Sequence, residues 1–222
     1  MTRPDRPARK TKSSTSSGSR EEGTVRIIGG HLRGRLLPFP VDPRTRPMKD
    51  RVREAVFNLV GPTVVGSYAI DLFAGTGVLG IEAVSRGAAS ATLIERHFPT
   101  ARAIEDRAAA FGIADQIHVI SGDAFTWVRR PTVPADRPWV VFCSPPFEFF
   151  VKREAEMLKL LTTLMESAPP GSVLAVEADE HFDVQLLPRP EEWDVREYPP
   201  ATVAMLRLPA AGQPVEPNDI TE

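Results

Sequence analysis

A short apolar segment and the glycine-rich turn that follows it decide the fold: Tyr68-Ala-Ile-Asp71-Leu-Phe-Ala-Gly75-Thr-Gly77-Val-Leu-Gly80. The segment before the turn is short and continuously apolar, which is typical of a strand buried on both faces of a parallel sheet. The glycines allow a sharp turn into a helix and a close approach of the backbone to a ligand. The same G-x-G-x-x-G spacing also occurs in strand-to-helix turns that bind nothing, so the neighbouring residues have to decide.

Strands and helices alternate after this turn. The predicted strands are Tyr68–Leu72, Ala91–Glu95, Ile117–Ser121, Trp139–Cys143 and Val173–Glu177, and the predicted helices are 78–86, 100–111 and 149–167. Two further strands, Trp193–Tyr198 and Thr202–Leu208, are too close for a crossover helix and should form an antiparallel pair. This order predicts an α/β fold with a doubly wound, mostly parallel seven-stranded sheet and a C-terminal antiparallel strand.

The residues before the sheet predict a small hairpin-plus-helix arm over 24–62. Two β-type runs flank Gly29-Gly30 and indicate a hairpin. Residues 38–47 are broken by prolines and read as a stiff connector. Asp50 is suited to cap a helix from Arg51 to about 59. Its apolar face leaves Arg51 and Arg53 outside.

Charge is distributed unevenly along the chain. Residues 1–60 carry a net charge of +8, whereas the remainder carries −10. Eleven of the 14 basic residues in the first part are arginines, which bind phosphate in bidentate fashion and stack on bases. A basic arm on an acidic body indicates a polyanionic partner. The alternative is a tail that only keeps the chain soluble, and it is the preferred interpretation for residues 1–23.

Composition excludes several classes of protein. The chain has 222 residues, of which 42% are hydrophobic, and no run of about eighteen apolar residues that would indicate a membrane-spanning helix. A single cysteine excludes an internal disulfide framework and a cysteine-rich zinc site, and no metal is expected. No apolar segment of a secretory signal stands near the N-terminus, so a cytoplasmic protein is expected. Residues 1–23 are predicted to be a disordered tail, residues 63–208 the main domain, and residues 209–222 a flexible C-terminal tail.

Ligands of doubly wound sheets bind at the carboxyl ends of the strands, and acidic residues stand at three such ends. The Asp71 carboxylate repels a pyrophosphate but attracts a cation, which favours S-adenosylmethionine over a dinucleotide. Glu95 can accept both ribose hydroxyls of an adenosine, or it can pair with Arg96. Asp123 can accept from an adenine amino group beside the Ala124 amide, and it can also cap the next helix. The turn supplies the other predicted cofactor contacts: Phe73, Ala74, Gly75, Thr76 and Gly77.

The fourth predicted strand ends in Cys143-Ser144-Pro145-Pro146-Phe147. Two prolines at a strand end fix a rigid turn with exposed carbonyls. The Ser144 hydroxyl and the Pro145 carbonyl can accept N–H groups, while Phe147 can stack on a ring. The sequence therefore predicts a slot for a flat base that carries an amino group. Cys143 is interpreted as a buried strand residue and not as a nucleophile.

These motifs resemble those of Rossmann-like class I methyltransferases that modify exocyclic amino groups, and more closely those of the bacterial 16S ribosomal RNA guanine-N2 methyltransferase family. The resemblance covers about residues 25–208. It rests on Arg26-Ile-Ile-Gly-Gly, Arg33-Gly-Arg, Arg46-Pro, Asp50-Arg-Val-Arg-Glu-Ala-Val-Phe-Asn, Asp71-Leu-Phe-Ala-Gly-Thr-Gly and Pro145-Pro-Phe. The last two are shared by many methyltransferases. The resemblance implies S-adenosylmethionine as donor and small-subunit ribosomal RNA, naked or in an assembling subunit, as substrate.

The chain departs from this family at two places. The family usually has Asp or Asn before Pro-Pro, where this chain has Ser144. An Asp-Arg pair usually follows the acid of the second strand, where this chain has Arg96-His97-Phe98. Replacing a charged hydrogen bond by a neutral one loses about 1–2 kcal/mol, which slows transfer about tenfold without abolishing it.

The predicted mechanism is mostly positioning. Arginines of the arm hold the RNA backbone, one guanine unstacks, and its amino group is aimed at the methyl carbon by Ser144 and Pro145. The predicted RNA-binding residues are Arg26, Arg33, Arg35, Arg46 and Arg51. Two other functions stay open at this point: methylation of adenine N6 or cytosine N4 in RNA or DNA, and a non-catalytic RNA-binding assembly factor. A monomer is expected.

Overall fold

The structure is a computed structural model that describes residues 22–40 and 48–210. Arg46 and nearly all residues of the two predicted tails lie outside the described residues. The strands are β1 (Glu22–Arg26), β2 (Leu36–Pro40), β3 (Tyr68–Asp71), β4 (Ser90–Glu95), β5 (Ile117–Ser121), β6 (Trp139–Cys143), β7 (Val173–Asp179), β8 (Trp193–Tyr198) and β9 (Ala201–Arg207). The helices are α1 (Asp50–Val60), α2 (Val78–Ser85), α3 (Phe98–Ala110), α4 (Ala124–Trp127), α5 (Phe149–Lys152) and α6 (Glu154–Ser167). In the described part of the chain, no helix has the length and apolar character that a bilayer crossing needs.

The central sheet has the strand order β5-β4-β3-β6-β7-β9-β8. Strands β3 to β7 are parallel, and β9 pairs antiparallel with both β7 and β8. The predicted seven-stranded, mostly parallel sheet is therefore confirmed. The chain winds outward from β3 in one direction and from β6 in the other, so the strand order reverses between these two strands. Such a reversal opens a crevice at the carboxyl ends of the strands.

Both faces of the sheet are buried, which explains why its strands are continuously apolar. In β6, Val140 and Phe142 join a core with α1, α2 and α3, whereas Val141 and Cys143 join a second core with α4 and α6. Alternate side chains of a strand point to opposite faces, so a strand covered on both sides has no polar position to spare. The core thus lies on both faces of the sheet, and the ends of the strands are left accessible to a ligand.

The predicted helix over 149–167 is interrupted, and the prediction of one continuous helix was wrong at Arg153. Its backbone leaves the helical region (φ −131°, ψ 30°) between α5 and α6. Its guanidinium group lies 3.8 Å from the centre of the Phe125 ring and binds Glu156 at 2.7 Å. A tertiary contact with α4 therefore accompanies a break that helical periodicity does not reveal.

The N-terminal hairpin forms, but its connection is longer than predicted. Strands β1 and β2 pair antiparallel with Val25 opposite Leu37, and residues 27–35 make a long connection instead of a tight turn at Gly29-Gly30. The connection is held by Ser85 at the end of α2, whose carbonyl accepts from the His31 amide at 2.8 Å. Residues 38–40, predicted as part of a connector, belong to β2. Contacts with α2 set this loop, and they are not local.

Helix α1 begins at Asp50, which is its first residue and not its cap. The larger correction concerns Arg53, predicted outside the apolar face but fully buried. Its Nε donates to Glu82 of α2 at 2.9 Å, and Arg86 reaches the other oxygen of the same carboxylate at 2.7 Å. We call Arg53, Glu82 and Arg86 the charged cluster. It joins the N-terminal arm to the first helix after the glycine turn.

Candidate active site

A cleft of about 590 Å³ opens at the carboxyl ends of β3 to β7. This volume lies within the usual range of small-molecule sites. The cleft is centred on the strand-order reversal between β3 and β6, where doubly wound sheets bind ligands. The predicted site residues that line it are Phe73, Gly75, Glu95, Asp123, Ala124, Ser144, Pro145 and Phe147.

The other predicted cofactor residues lie behind this lining: Asp71, Ala74, Thr76 and Gly77. Gly77 has φ +79°, and a side chain there would also meet Ile104 of α3. The third glycine of the motif, Gly80, packs so closely on β4 that a Cβ would stand 2.6 Å from Leu93. These two glycines therefore serve the turn and the helix packing, whereas Gly75 faces the cleft.

Asp71 is a buried acid whose carboxylate makes no hydrogen bond of ordinary geometry with any described residue. It is 1% exposed. Burial raises the pKa of Asp71 to about 7, and the charge of Glu95 adds to this shift. The backbone amides of Gly80 and Phe73 lie close enough to oppose the shift, but neither makes a hydrogen bond of ordinary geometry with the carboxylate. Burial disfavours the ionised form of this carboxyl group, and a positive charge brought by a ligand would stabilise that form.

Glu95 holds the glycine turn in place. One carboxylate oxygen accepts from the Gly75 amide at 2.8 Å, and the other accepts from the His97 amide at 2.7 Å. Backbone amides, and not the neighbouring Arg96, are thus its hydrogen-bond donors. Each carboxylate oxygen has a second lone pair, so the group can still accept from two hydroxyls in the cleft.

Asp123 caps the N-terminus of α4, which confirms one of the two roles predicted for it. Its Oδ1 accepts from the Thr126 amide at 3.1 Å, and its Oδ2 stands 3.9 Å from the Arg153 guanidinium. The carboxylate still lines the cleft beside Ala124. The predicted contact with an adenine amino group stays a prediction that this geometry permits.

Aromatic side chains form one wall of the cleft. Phe73, Phe125 and Phe149 pack against one another with ring centres 5.9–6.0 Å apart. Phe73 and Phe149 contribute directly to the lining. A flat apolar wall next to two carboxylates suits a planar ring that carries polar groups at its edge.

Ser144 is half-buried at the end of β6, and its hydroxyl donates to a Glu177 carboxylate oxygen. Glu177 lies on β7, is only 9% exposed and also lines the cleft. Glu177 was not among the predicted site residues, although it ends a predicted strand just as Glu95 does. The thiol of Cys143 is buried, and burial raises its pKa, which agrees with a core residue.

The cleft is acidic. Glu95, Asp123, Glu148 and Glu177 line it, against Lys49 and Arg96. An excess of carboxylates favours a cationic ligand. With the unpartnered Asp71 beneath the turn and the aromatic wall beside it, these residues fit S-adenosylmethionine. No group of three or more side chains suited to a metal ion occurs among the residues that the structure describes.

The predicted RNA-binding arginines are not gathered at one place. Arg26, Arg33, Arg35 and Arg51 are exposed. Arg51 stands in the first turn of α1, whose neighbours Lys49 and Val52 line the cleft. Arg35 lies over the Phe111 ring at 5.7 Å, beyond the end of α3 that is remote from the cleft. A helix of 13 residues spans about 20 Å, so the arginines extend along the molecule.

The fold and the cleft define a Rossmann-like class I methyltransferase, the class that takes its methyl group from S-adenosylmethionine. More narrowly, the chain belongs to the family described as conserved hypothetical protein 95, whose model matches residues 25–202.

Known proteins bear out this class. The chain is 41% identical over 136 residues to ribosomal RNA small subunit methyltransferase D of Escherichia coli K12, a match that spans 61% of this chain and 65% of that relative's length. A solved putative methyltransferase of Escherichia coli, yhhF, is 30% identical with a TM-score of 0.70 and covers 85% of this chain and 99% of its own. An RNA methyltransferase of Salinibacter ruber, solved with S-adenosylhomocysteine, has the same fold at 22% identity (TM-score 0.55, 80% of this chain and all of its own).

Proposed function

We propose that the chain transfers a methyl group from S-adenosylmethionine to the N2 amino group of a guanine in small-subunit ribosomal RNA. One observation carries the proposal: the Ser144-Pro145-Pro146-Phe147 turn and the glycine turn follow neighbouring strands, β6 and β3, and line the same cleft. The relatives' names support ribosomal RNA as the substrate, and the resemblance to guanine-N2 methyltransferases supports the acceptor atom.

The donor half of the cleft is assigned to residues after β3, β4 and β5. S-adenosylmethionine, when bound, supplies a methyl group on a positively charged sulfur. Glu95 accepts from the ribose hydroxyls, and Asp123 with the Ala124 amide meets the adenine edge. Asp71 lies beneath the Gly75 turn, where its carboxylate stabilises the positive charge through the backbone that separates them.

The acceptor half is assigned to the turn after β6. The Ser144 hydroxyl and the Pro145 carbonyl accept the two N–H groups of the base, and Phe147 stacks on its ring. This fixes the nitrogen lone pair toward the methyl carbon. Holding two reactants in line accounts for much of the rate enhancement that such a site can give. Neither the orientation of the base nor the transfer of the methyl group requires a strong base in contact with the substrate.

The arm is assigned to the RNA backbone. Arg51 stands near the cleft, whereas Arg33 and Arg35 lie farther away, where a helical segment flanking the target can reach them. If the five predicted arginines each neutralise one phosphate, the logarithm of affinity should fall with the logarithm of salt concentration with a slope of about −3.5. A slope near zero for the full chain would remove the arm from RNA binding.

The test is methyl transfer from labelled S-adenosylmethionine to unmodified small subunits and to naked 16S RNA, followed by nucleoside analysis. We expect N2-methylguanosine, with DNA of the same sequence as the control substrate. N6-methyladenosine or N4-methylcytidine would replace the guanine assignment by the second predicted activity. Calorimetry that detects RNA binding but no S-adenosylmethionine binding would favour an assembly factor without catalysis.

A further inference from the structure

Two side chains of neighbouring strands meet where the amino group is proposed to bind. Strands β6 and β7 pair in parallel with Cys143 opposite Val176, so Ser144 and Glu177 follow at matching positions. The Ser144 hydroxyl donates to the Glu177 carboxylate, and both residues line the cleft. Burying nine-tenths of a carboxylate in the wall of a cleft costs folding free energy. Such groups cluster at functional sites.

This hydrogen bond decides what the serine can offer a ligand. A hydroxyl has one proton to donate and two lone pairs that accept. When the proton points to Glu177, the Ser144 oxygen presents only lone pairs to the cleft. It then binds an N–H group and repels a carbonyl oxygen. Glu177 also adds the negative charge that Ser144, unlike an aspartate at the same position, lacks.

We propose that Glu177 is a positioning residue of the methyl transfer, which acts through Ser144 to select an amino group and to orient its nitrogen. The inference rests on the proposed function, because it requires an exocyclic amine at Ser144. It assigns to Glu177, on the neighbouring strand, the charge that members of the resembled family with Asp before Pro-Pro carry at that position.

The pair also gives the reaction's proton a destination. The nitrogen lone pair forms the new N–C bond, the electrons of the C–S bond stay on sulfur, and the nitrogen becomes positively charged. One N–H proton then passes to the Ser144 oxygen while the Ser144 hydroxyl proton passes to Glu177. The amine ends neutral and methylated, the sulfur ends as a neutral thioether, and the carboxylate holds the proton until water takes it.

The experiment moves the charge between the two positions. Glu177→Gln keeps size and shape but removes the charge, and it should lower kcat about 10- to 100-fold while S-adenosylmethionine affinity stays within about twofold. Ser144→Asp in the wild-type background places two carboxylates side by side and should also lower kcat. The double variant, Ser144→Asp with Glu177→Gln, should recover most of the activity.

Glu180→Gln is the matched control, since it removes an exposed carboxylate three residues along the chain and should leave kcat unchanged. Circular dichroism and melting temperature verify that each variant folds. If Glu177→Gln does not fold, Ser144→Asp alone decides, because an undiminished kcat there contradicts the paired charge. A merely structural Glu177 predicts no rescue in the double variant.

Two results would overturn the inference: wild-type kcat in Glu177→Gln, or a double variant no more active than Glu177→Gln. The nucleoside product of the wild-type chain is judged separately. A product other than N2-methylguanosine that is still methylated on an exocyclic amine defeats the guanine assignment and leaves the Glu177 role standing. A wild-type chain without any methyl transfer overturns both.

Discussion

Glu82 in the charged cluster and Asp71 beneath the glycine turn are buried to the same degree but have opposite surroundings. Glu82 is 0% exposed, and its oxygens accept from the Arg53 and Arg86 guanidinium groups and from the Ile28 amide. Asp71 is 1% exposed and has no hydrogen-bond partner among the described residues. Burial alone therefore does not identify a functional acid. A buried acid that is fully paired holds the fold, whereas one left without a partner is suited to a ligand.

The largest effect should come from breaking the paired region. Arg53→Ala leaves the Glu82 carboxylate buried without one of its two arginines and should lower the free energy of unfolding by about 3–5 kcal/mol. Urea denaturation measures it. Arg51→Ala, which removes an exposed arginine from the same helix, is the control and should change the value by less than about 0.5 kcal/mol. Equal effects of the two substitutions would show that the charged cluster does not join the arm to α2.

The second prediction concerns Asp71, and here the substitution should raise the free energy of unfolding instead of lowering it. Asp71 loses its proton near its ordinary pKa of 3.8 in the unfolded chain, but near 7 in the folded chain. Its contribution to stability is therefore complete below pH of about 4 and is lost as the pH rises through about 7. At about pH 8 the loss approaches roughly 4 kcal/mol, so Asp71→Asn, which cannot ionise, should be more stable than wild type by up to that amount.

Urea unfolding of Asp71→Asn and wild type across this pH range checks that prediction. The two proteins should be similar in stability at the acid end and diverge toward neutral pH. A difference that does not vary with pH would mean that Asp71 is ionised in the folded chain throughout. S-adenosylmethionine binding to the variant should be weaker, because the positive charge then meets a neutral amide.

The surroundings of Glu177 are intermediate between those of Glu82 and Asp71. Substitution of Glu177 should therefore change the free energy of unfolding only slightly. Glu177→Gln keeps an acceptor for the Ser144 hydroxyl and exchanges a charged hydrogen bond for a neutral one, which changes the free energy of unfolding by about 1 kcal/mol. Thermal denaturation at one pH suffices for the measurement. If Glu177→Gln lowered the free energy of unfolding as much as Arg53→Ala does, Glu177 would be a structural residue and not a residue of the active site.

The smallest effect on stability should come from the exposed arm. The double substitution Arg33→Ala with Arg35→Ala should change the free energy of unfolding by less than about 0.5 kcal/mol and make the salt slope of RNA binding shallower by about 1.4. Its kcat should equal that of wild type, because both residues stand away from the cleft. Arg102→Ala, an exposed arginine of α3 outside the arm, is the control for RNA affinity. A lowered kcat would indicate that the arm aligns the target base.

Much of the cleft was predictable because its residues stand at strand ends that local spacing reveals. Apolar runs of four to seven residues mark the strands, and parallel strands bring their carboxyl ends to one edge. Glu95, Asp123 and Ser144 were found in this way, and all three line the cleft. The same rule applied to the fifth predicted strand would have found Glu177.

The sequence by itself determined the order of elements, the positions of the strand ends and the class of chemistry at them, since each depends on residues close together in the chain. Only the tertiary structure decided that Arg53 is buried, that a nine-residue loop closes the hairpin, and that the Ser144 hydroxyl donates to Glu177. Each of these depends on partners 27 to 56 residues away. Local periodicity carries no record of which strand or helix becomes the neighbour, because that choice is made by the packing of whole elements against one another.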